Sequence, residues 1–120
     1  MAEIANKFAP RGVDYFIVYI TEAHPTDGWM PEWAQGPFTS IAHAKSTEMR
    51  LQAARTFVKE LGLSVPVLVD SIKDELENRY EARPERLYVV QRGKVLWRCH
   101  LGPFFYDVPA LATFLEQHTA

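Results

Sequence analysis

One cysteine, Cys99, is the only thiol in a chain of 120 residues. No disulfide can therefore close within the chain, and no dithiol exchange can be carried out by it alone, which is compatible with a reducing compartment. An excess of basic charge is missing as well: 13 Lys and Arg stand against 15 Asp and Glu, a formal net charge of −2. Without a basic stripe there is no footprint for a nucleic acid. No apolar run approaches the roughly 20 residues that a membrane helix needs. The N-terminus also lacks a basic region followed by an apolar one, so the chain as given reads as soluble, unprocessed and cytoplasmic. Repeats, low-complexity tracts and closely spaced metal-ligand sets are absent too, and no metal is expected. What remains is a composition 48% hydrophobic and 12% aromatic, that of a folded domain. Residues 1–120 read as one unit long enough to bury a core of its own.

The run Asp14-Tyr15-Phe16-Ile17-Val18-Tyr19-Ile20 predicts a strand in the middle of a sheet, because a β-branched and aromatic stretch without alternation suits burial on both faces. Glu22 and His24 follow two apart and are expected on one side as the chain leaves the sheet. Pro25 and Asp27-Gly28 then turn it. Ligand sites of open α/β sheets lie beyond the carboxyl ends of strands, so this is the first candidate site. The plainer reading is a polar strand end.

Ala2–Phe8 reads as the back half of a helix, with Ile4, Ala5 and Phe8 on one face and Pro10, Arg11 and Gly12 stopping it. Met30–Lys45 reads as a long loop containing Trp33, Pro37 and Phe38. Ser46 predicts an N-cap, and Leu51, Ala54, Phe57, Val58 and Leu61 repeat at helical spacing up to Gly62. Val65–Val69 predicts a short strand, and Ser71 with Asp74 a capping box for a short helix with Ile72, Leu76 and Tyr80. Leu87–Val90 and Val95–Trp97 around Gly93 predict an antiparallel hairpin. Asp107 and Pro109 open a terminal helix carrying Val108, Leu111, Phe114 and Leu115. This order predicts an α/β, thioredoxin-like fold: a central mixed sheet with helices on both faces, its first strand and the start of its first helix missing.

The segments Tyr19–Trp29 (YITEAHPTDGW), Arg50–Ala54 (RLQAA), Pro66–Asp70 (PVLVD), Pro84–Gly93 (PERLYVVQRG) and Gly102-Pro103 with Tyr106 occur in the order found in the iodothyronine deiodinases, and the chain resembles that family from Val13 onward. The resemblance implies a selenoenzyme that reductively removes iodine from an iodothyronine or related halogenated phenolic compound. It implies His24 as the proton-handling and substrate-contacting histidine, with Glu22 as the acid beside it. It also implies His43 as a further catalytic histidine, after a one-residue slip relative to Arg50, and Arg86 as the clamp on the substrate's amino-acid end. The family's selenocysteine or cysteine precedes the part seen here, so the nucleophile is expected from a segment ahead of Met1, where any membrane anchor would also lie. No cofactor is implied beyond an external thiol reductant, and a homodimer is possible by the same resemblance. The alternatives are a non-catalytic thioredoxin-fold binding module, or a partial domain that pairs its bare strand edge with another chain.

On the residues alone, Arg86 could equally pair with Glu85 or Asp70. Cys99 and His100 are strand neighbours that face opposite ways, which argues for a small buried thiol. Trp29, Trp33, Phe38, Phe104 and Phe105 could wall a phenolic ring or serve only as packing.

Overall fold

In the computed structural model, which describes residues 1–22, 25, 27–28, 42–102 and 104–120, the chain opens with α1 (Ala2–Phe8). A 3-10 turn, Ala9–Arg11, ends at Gly12 with φ 81°, a left-handed conformation that costs glycine nothing. β1 (Ile17–Tyr19) follows. α2 (Thr47–Leu61) begins where Ser46 accepts a hydrogen bond from Met49 N at 3.1 Å and stops at Gly62, φ 60°. Next come β2 (Val67–Val69) and α3 (Glu75–Tyr80). β3 (Tyr88–Gln91) and β4 (Lys94–Arg98) turn at Arg92-Gly93, both with positive φ, as a two-residue hairpin with right-handed strand twist requires. α4 (Val108–His118) is capped by Asp107, which accepts from Ala110 N at 2.9 Å.

β1 pairs with β2 in parallel, Ile17 opposite Val67 and Tyr19 opposite Val69, while β3 and β4 form a separate antiparallel pair. The expected single mixed sheet is thus two ladders that do not join among the described residues. The strand expected over Asp14–Ile20 is shorter and less buried than its composition suggests. It pairs over three residues only, all half-buried, and Phe16 is 56% exposed. An apolar run is buried on both faces only where strands flank both edges and layers cover both sides, and among the described residues β1 has one partner strand.

Two packed regions result. Phe8, Leu87, Cys99, Leu111 and Leu115 form the buried cluster in which α1 and α4 meet the hairpin, with Val89, Trp97 and Phe114 against it. Lys7 and Arg11 both reach Glu116, at 2.9 and 3.0 Å, and tie the two helices together outside that cluster. In the other region α2 lies on β1 and β2, Phe57 meeting Tyr19 edge-on at 5.6 Å. The inward face of α2 is rotated from the expected one. Arg50, Ala53 and Ala54 are buried, whereas Leu61 is exposed and Leu51, Ala54 and Val58 line a groove of about 310 Å³ with Val67 and Val69.

Candidate active site

The ladder between β1 and β2 closes with Asp70 N donating to Tyr19 O at 2.9 Å, and polar side chains gather directly beyond it. Glu22 does not continue strand alternation. Its carboxylate folds back to accept from Tyr19 Oη at 3.3 Å and from Ala44 N at 3.5 Å. Burial pushes the Tyr19 phenol well above its usual range, and the adjacent Glu22 charge adds to the effect. Tyr19 therefore stays a neutral donor that fixes Glu22. His24 lies outside the described residues, as do Trp29, Trp33 and Phe38.

Beneath Glu22 sits a residue that periodicity did not single out. The Arg50 side chain is 1% exposed and donates from Nη1 to Ser71 O at 2.5 Å and from Nη2 to Thr21 Oγ1 at 3.2 Å. The same Nη1 faces Asp74 Oδ1 at 2.8 Å, and Thr21 Oγ1 donates to that oxygen at 2.8 Å. Burial works to raise the Asp74 carboxyl, but the Thr21 hydroxyl and the Arg50 guanidinium outweigh it and hold the carboxyl below its usual range. Thr21 N donates to the buried Glu77 carboxylate at 3.2 Å. Arg50 is thereby the post on which the ends of β1 and β2 and the start of α3 hang. A signal for it existed: Arg50, Ala53 and Ala54 fall at i, i+3 and i+4, a close-packed stripe with a cation at its head.

The same cluster replaces the expected capping box. Asp74 sits at φ 57° with its carboxylate given to Arg50 and Thr21. Asp70 caps α3 instead, accepting from Ser71 N, Leu76 N and Glu77 N at 2.9, 3.0 and 2.9 Å.

His43 is exposed, and its backbone N–H, not its ring, makes the local bond, to Asp27 Oδ1 at 2.7 Å. That bond holds the Asp27 carboxyl below its usual range. Glu22 and His43 share one neighbourhood through Ala44; Arg86 lies on the other ladder. Cys99 N donates to Leu87 O and Gly102 N to Glu85 O, each at 3.1 Å, so the hairpin pairing runs on past β3 and holds Arg86 between these rungs. Its Nε donates to Cys99 O at 3.1 Å and its Nη1 to Glu81 O at 3.3 Å, with the guanidinium carbon 5.6 Å from the Tyr88 ring centre. The acidic neighbour is Glu81, at 3.7 Å, in place of the expected Glu85 or Asp70. α3, roughly 9 Å long at 1.5 Å per residue, separates the Glu22 neighbourhood at its start from Arg86 at its end. Among the described residues no bond joins Glu22, His43 and Arg86 directly.

Cys99 is buried, and its Sγ accepts from Leu87 N at 3.1 Å. Trp97, His100, Phe104, Phe105 and Tyr106 border a groove of about 450 Å³, with Phe104 fully open to solvent on its rim. Among the described residues no three His, Cys, Asp or Glu gather as a metal ion would need, and no helix is long and apolar enough to cross a membrane.

Strand ends, a neutral phenol beside a carboxylate and a buried guanidinium post define an α/β domain with a polar site at the carboxyl edge of its parallel strands. The iodothyronine deiodinase family model matches residues 2–119. The chain is 37% identical over 108 residues to the pig thyroxine 5-deiodinase and 36% identical over 108 residues to the human one, covering 90% of this chain and 34% of each relative. It is 36% identical over 104 residues to the type I iodothyronine deiodinase of Xenopus laevis, covering 87% of this chain and 39% of that relative. The chain belongs to the iodothyronine deiodinase family, and it spans little more than a third of the length of these relatives.

Proposed function

We propose that this chain is the substrate- and proton-handling part of a deiodinase-like oxidoreductase acting on an iodothyronine or a related halogenated phenolic compound. The observation that carries it is Glu22, held by Tyr19 and Ala44 at the end of β1 in a chain of this family. The relatives' printed names, thyroxine 5-deiodinase and iodothyronine deiodinase, point to the substrate class. A parallel pair followed by an antiparallel hairpin, with α2 and α4 around them, supports a thioredoxin-like plan whose remaining strand lies ahead of Met1.

In the reaction a selenolate or thiolate attacks iodine. The ring carbon keeps the electron pair of the broken carbon–iodine bond and takes a proton, while iodine passes to selenium or sulfur. A thiol reductant then displaces iodide, and a second thiol reduces the mixed bond that remains. The nucleophile comes from a segment outside this chain, because Cys99 is buried and occupied. His24 delivers the proton, and Glu22 orients its imidazole and raises its basicity. His43 is the further histidine of the relay in this proposal, supported by the Ala44 N–H beside it donating to Glu22 at 3.5 Å, and Arg86 binds the carboxylate of the substrate's amino-acid end. A homodimer and a cytosolic site of action follow from the same reading.

In a form of the protein that carries its nucleophile, His24→Ala is expected to lower iodide release by about 10²–10⁴-fold, the usual worth of a positioned general acid or base. Undiminished release by that variant would overturn the role. The burial of Cys99 also supports a second reading, a binding module that holds the same ligand without chemistry.

A further inference from the structure

We propose that Glu81 is a built-in competitor for the Arg86 guanidinium, a displaceable carboxylate that a substrate's carboxylate must replace. This rests on the clamp role given to Arg86 above. Two backbone carbonyls, those of Cys99 and Glu81, fix the guanidinium from Nε and Nη1 at 3.1 and 3.3 Å, and the Tyr88 ring lies under it. Neither carbonyl belongs to a group that must move when a ligand arrives. The cation is therefore pre-organised, and its side chain is only 8% exposed.

The Glu81 carboxylate is held differently. It stands 3.7 Å from Nη1, an ion-pair separation beyond ordinary hydrogen-bond length, on a side chain 78% exposed. Glu81 ends α3 in the left-handed region at φ 49°, and its backbone N–H donates to Asn78 O at 3.4 Å. The main chain that anchors Arg86 is thus settled independently of the side chain that shields it. A loose, solvated carboxylate covers a rigid cation that prefers a planar, two-oxygen partner. A ligand carboxylate takes that place when Glu81 swings into water, and binding is weakened by whatever the exposed pair was worth. Ligands without a carboxylate gain nothing from the exchange, so the pair tunes selectivity as well as affinity.

The test is equilibrium binding of thyroxine, and of the amine formed by removing its carboxyl group, to the 120-residue chain and to Glu81→Gln and Arg86→Ala. Gln keeps the side-chain length and the backbone conformation. Glu81→Gln is expected to tighten thyroxine about two- to fivefold, the range for an exposed ion pair, and to leave the amine unchanged. Combined with Arg86→Ala it should have no effect. Unchanged thyroxine affinity in Glu81→Gln, with weakened binding in Arg86→Ala, overturns the competitor and leaves the clamp standing. Unchanged binding in Arg86→Ala overturns the clamp and the competitor with it, and so does the lack of any saturable binding.

Discussion

A guanidinium 1% exposed is tolerable only if most of its donors find acceptors, and Arg50 sets Nη1 and Nη2 on Asp74, Thr21 and the Ser71 carbonyl while its buried Nε meets no acceptor among the described residues. Removing the cation strands Asp74 beside a half-dismantled cluster. Arg50→Met is expected to cost about 3 kcal/mol at neutral pH, near the lower end for breaking a buried pair, read as a lower urea midpoint. A variant within a few tenths of a kcal/mol of the parent would remove Arg50 from its place as the organising post. The sign of the pH effect follows from Asp74, whose folded carboxyl is held below its unfolded value of about 3.9. Its contribution is present above that value and is lost as pH falls through the folded one. The parent should lose stability more steeply than Asp74→Asn below about pH 4, in urea melts across pH. Parallel acid limbs would contradict the assignment.

At the scale of elements, the lower end of the hairpin shows how closely Arg86 is built in. A Cβ on Gly102 would lie 2.4 Å from Glu85 Cγ and 2.9 Å from the Glu85 carbonyl oxygen, so the backbone, not only a side chain, would have to move. Gly102→Ala is expected to cost about 1–3 kcal/mol, as overpacking does, in the same urea assay. A neutral substitution would mean that the rungs around Arg86 are loose. Legibility varied between elements for physical reasons. α2, the hairpin and α4 are written in local chemistry, Ser46, Arg92-Gly93 and Asp107, and each begins or turns where that chemistry places it. α3 also occurs where expected, but its cap was misread, because the Asp74 carboxylate answers to Arg50 on another helix and Asp70 reaches forward from the strand. No local pattern carries that information. Glu22 likewise answers to a partner that strand alternation does not name: pairing stops at Tyr19 and the carboxylate turns back to the Tyr19 hydroxyl.

For the whole molecule, the described chain holds two ladders and one main apolar cluster, with Phe16, Leu68, Val90 and Leu96 each about half exposed on the strands or beside them. The run Asp14–Ile20 made the sheet look continuous, since composition registers what a strand is suited to and not whether its neighbours are present. Family membership, by contrast, was carried by blocks spread from Tyr19 to Tyr106, and it holds over residues 2–119. The chain covers 34% of the length of the pig and human relatives. The decisive measurement is the transcript sequence ahead of Met1, translated without stopping at UGA. A selenocysteine or cysteine codon in frame, about two or three helical turns upstream at 3.6 residues per turn, is the predicted result. An upstream frame with neither would contradict catalysis and leave the binding module as the function of this chain.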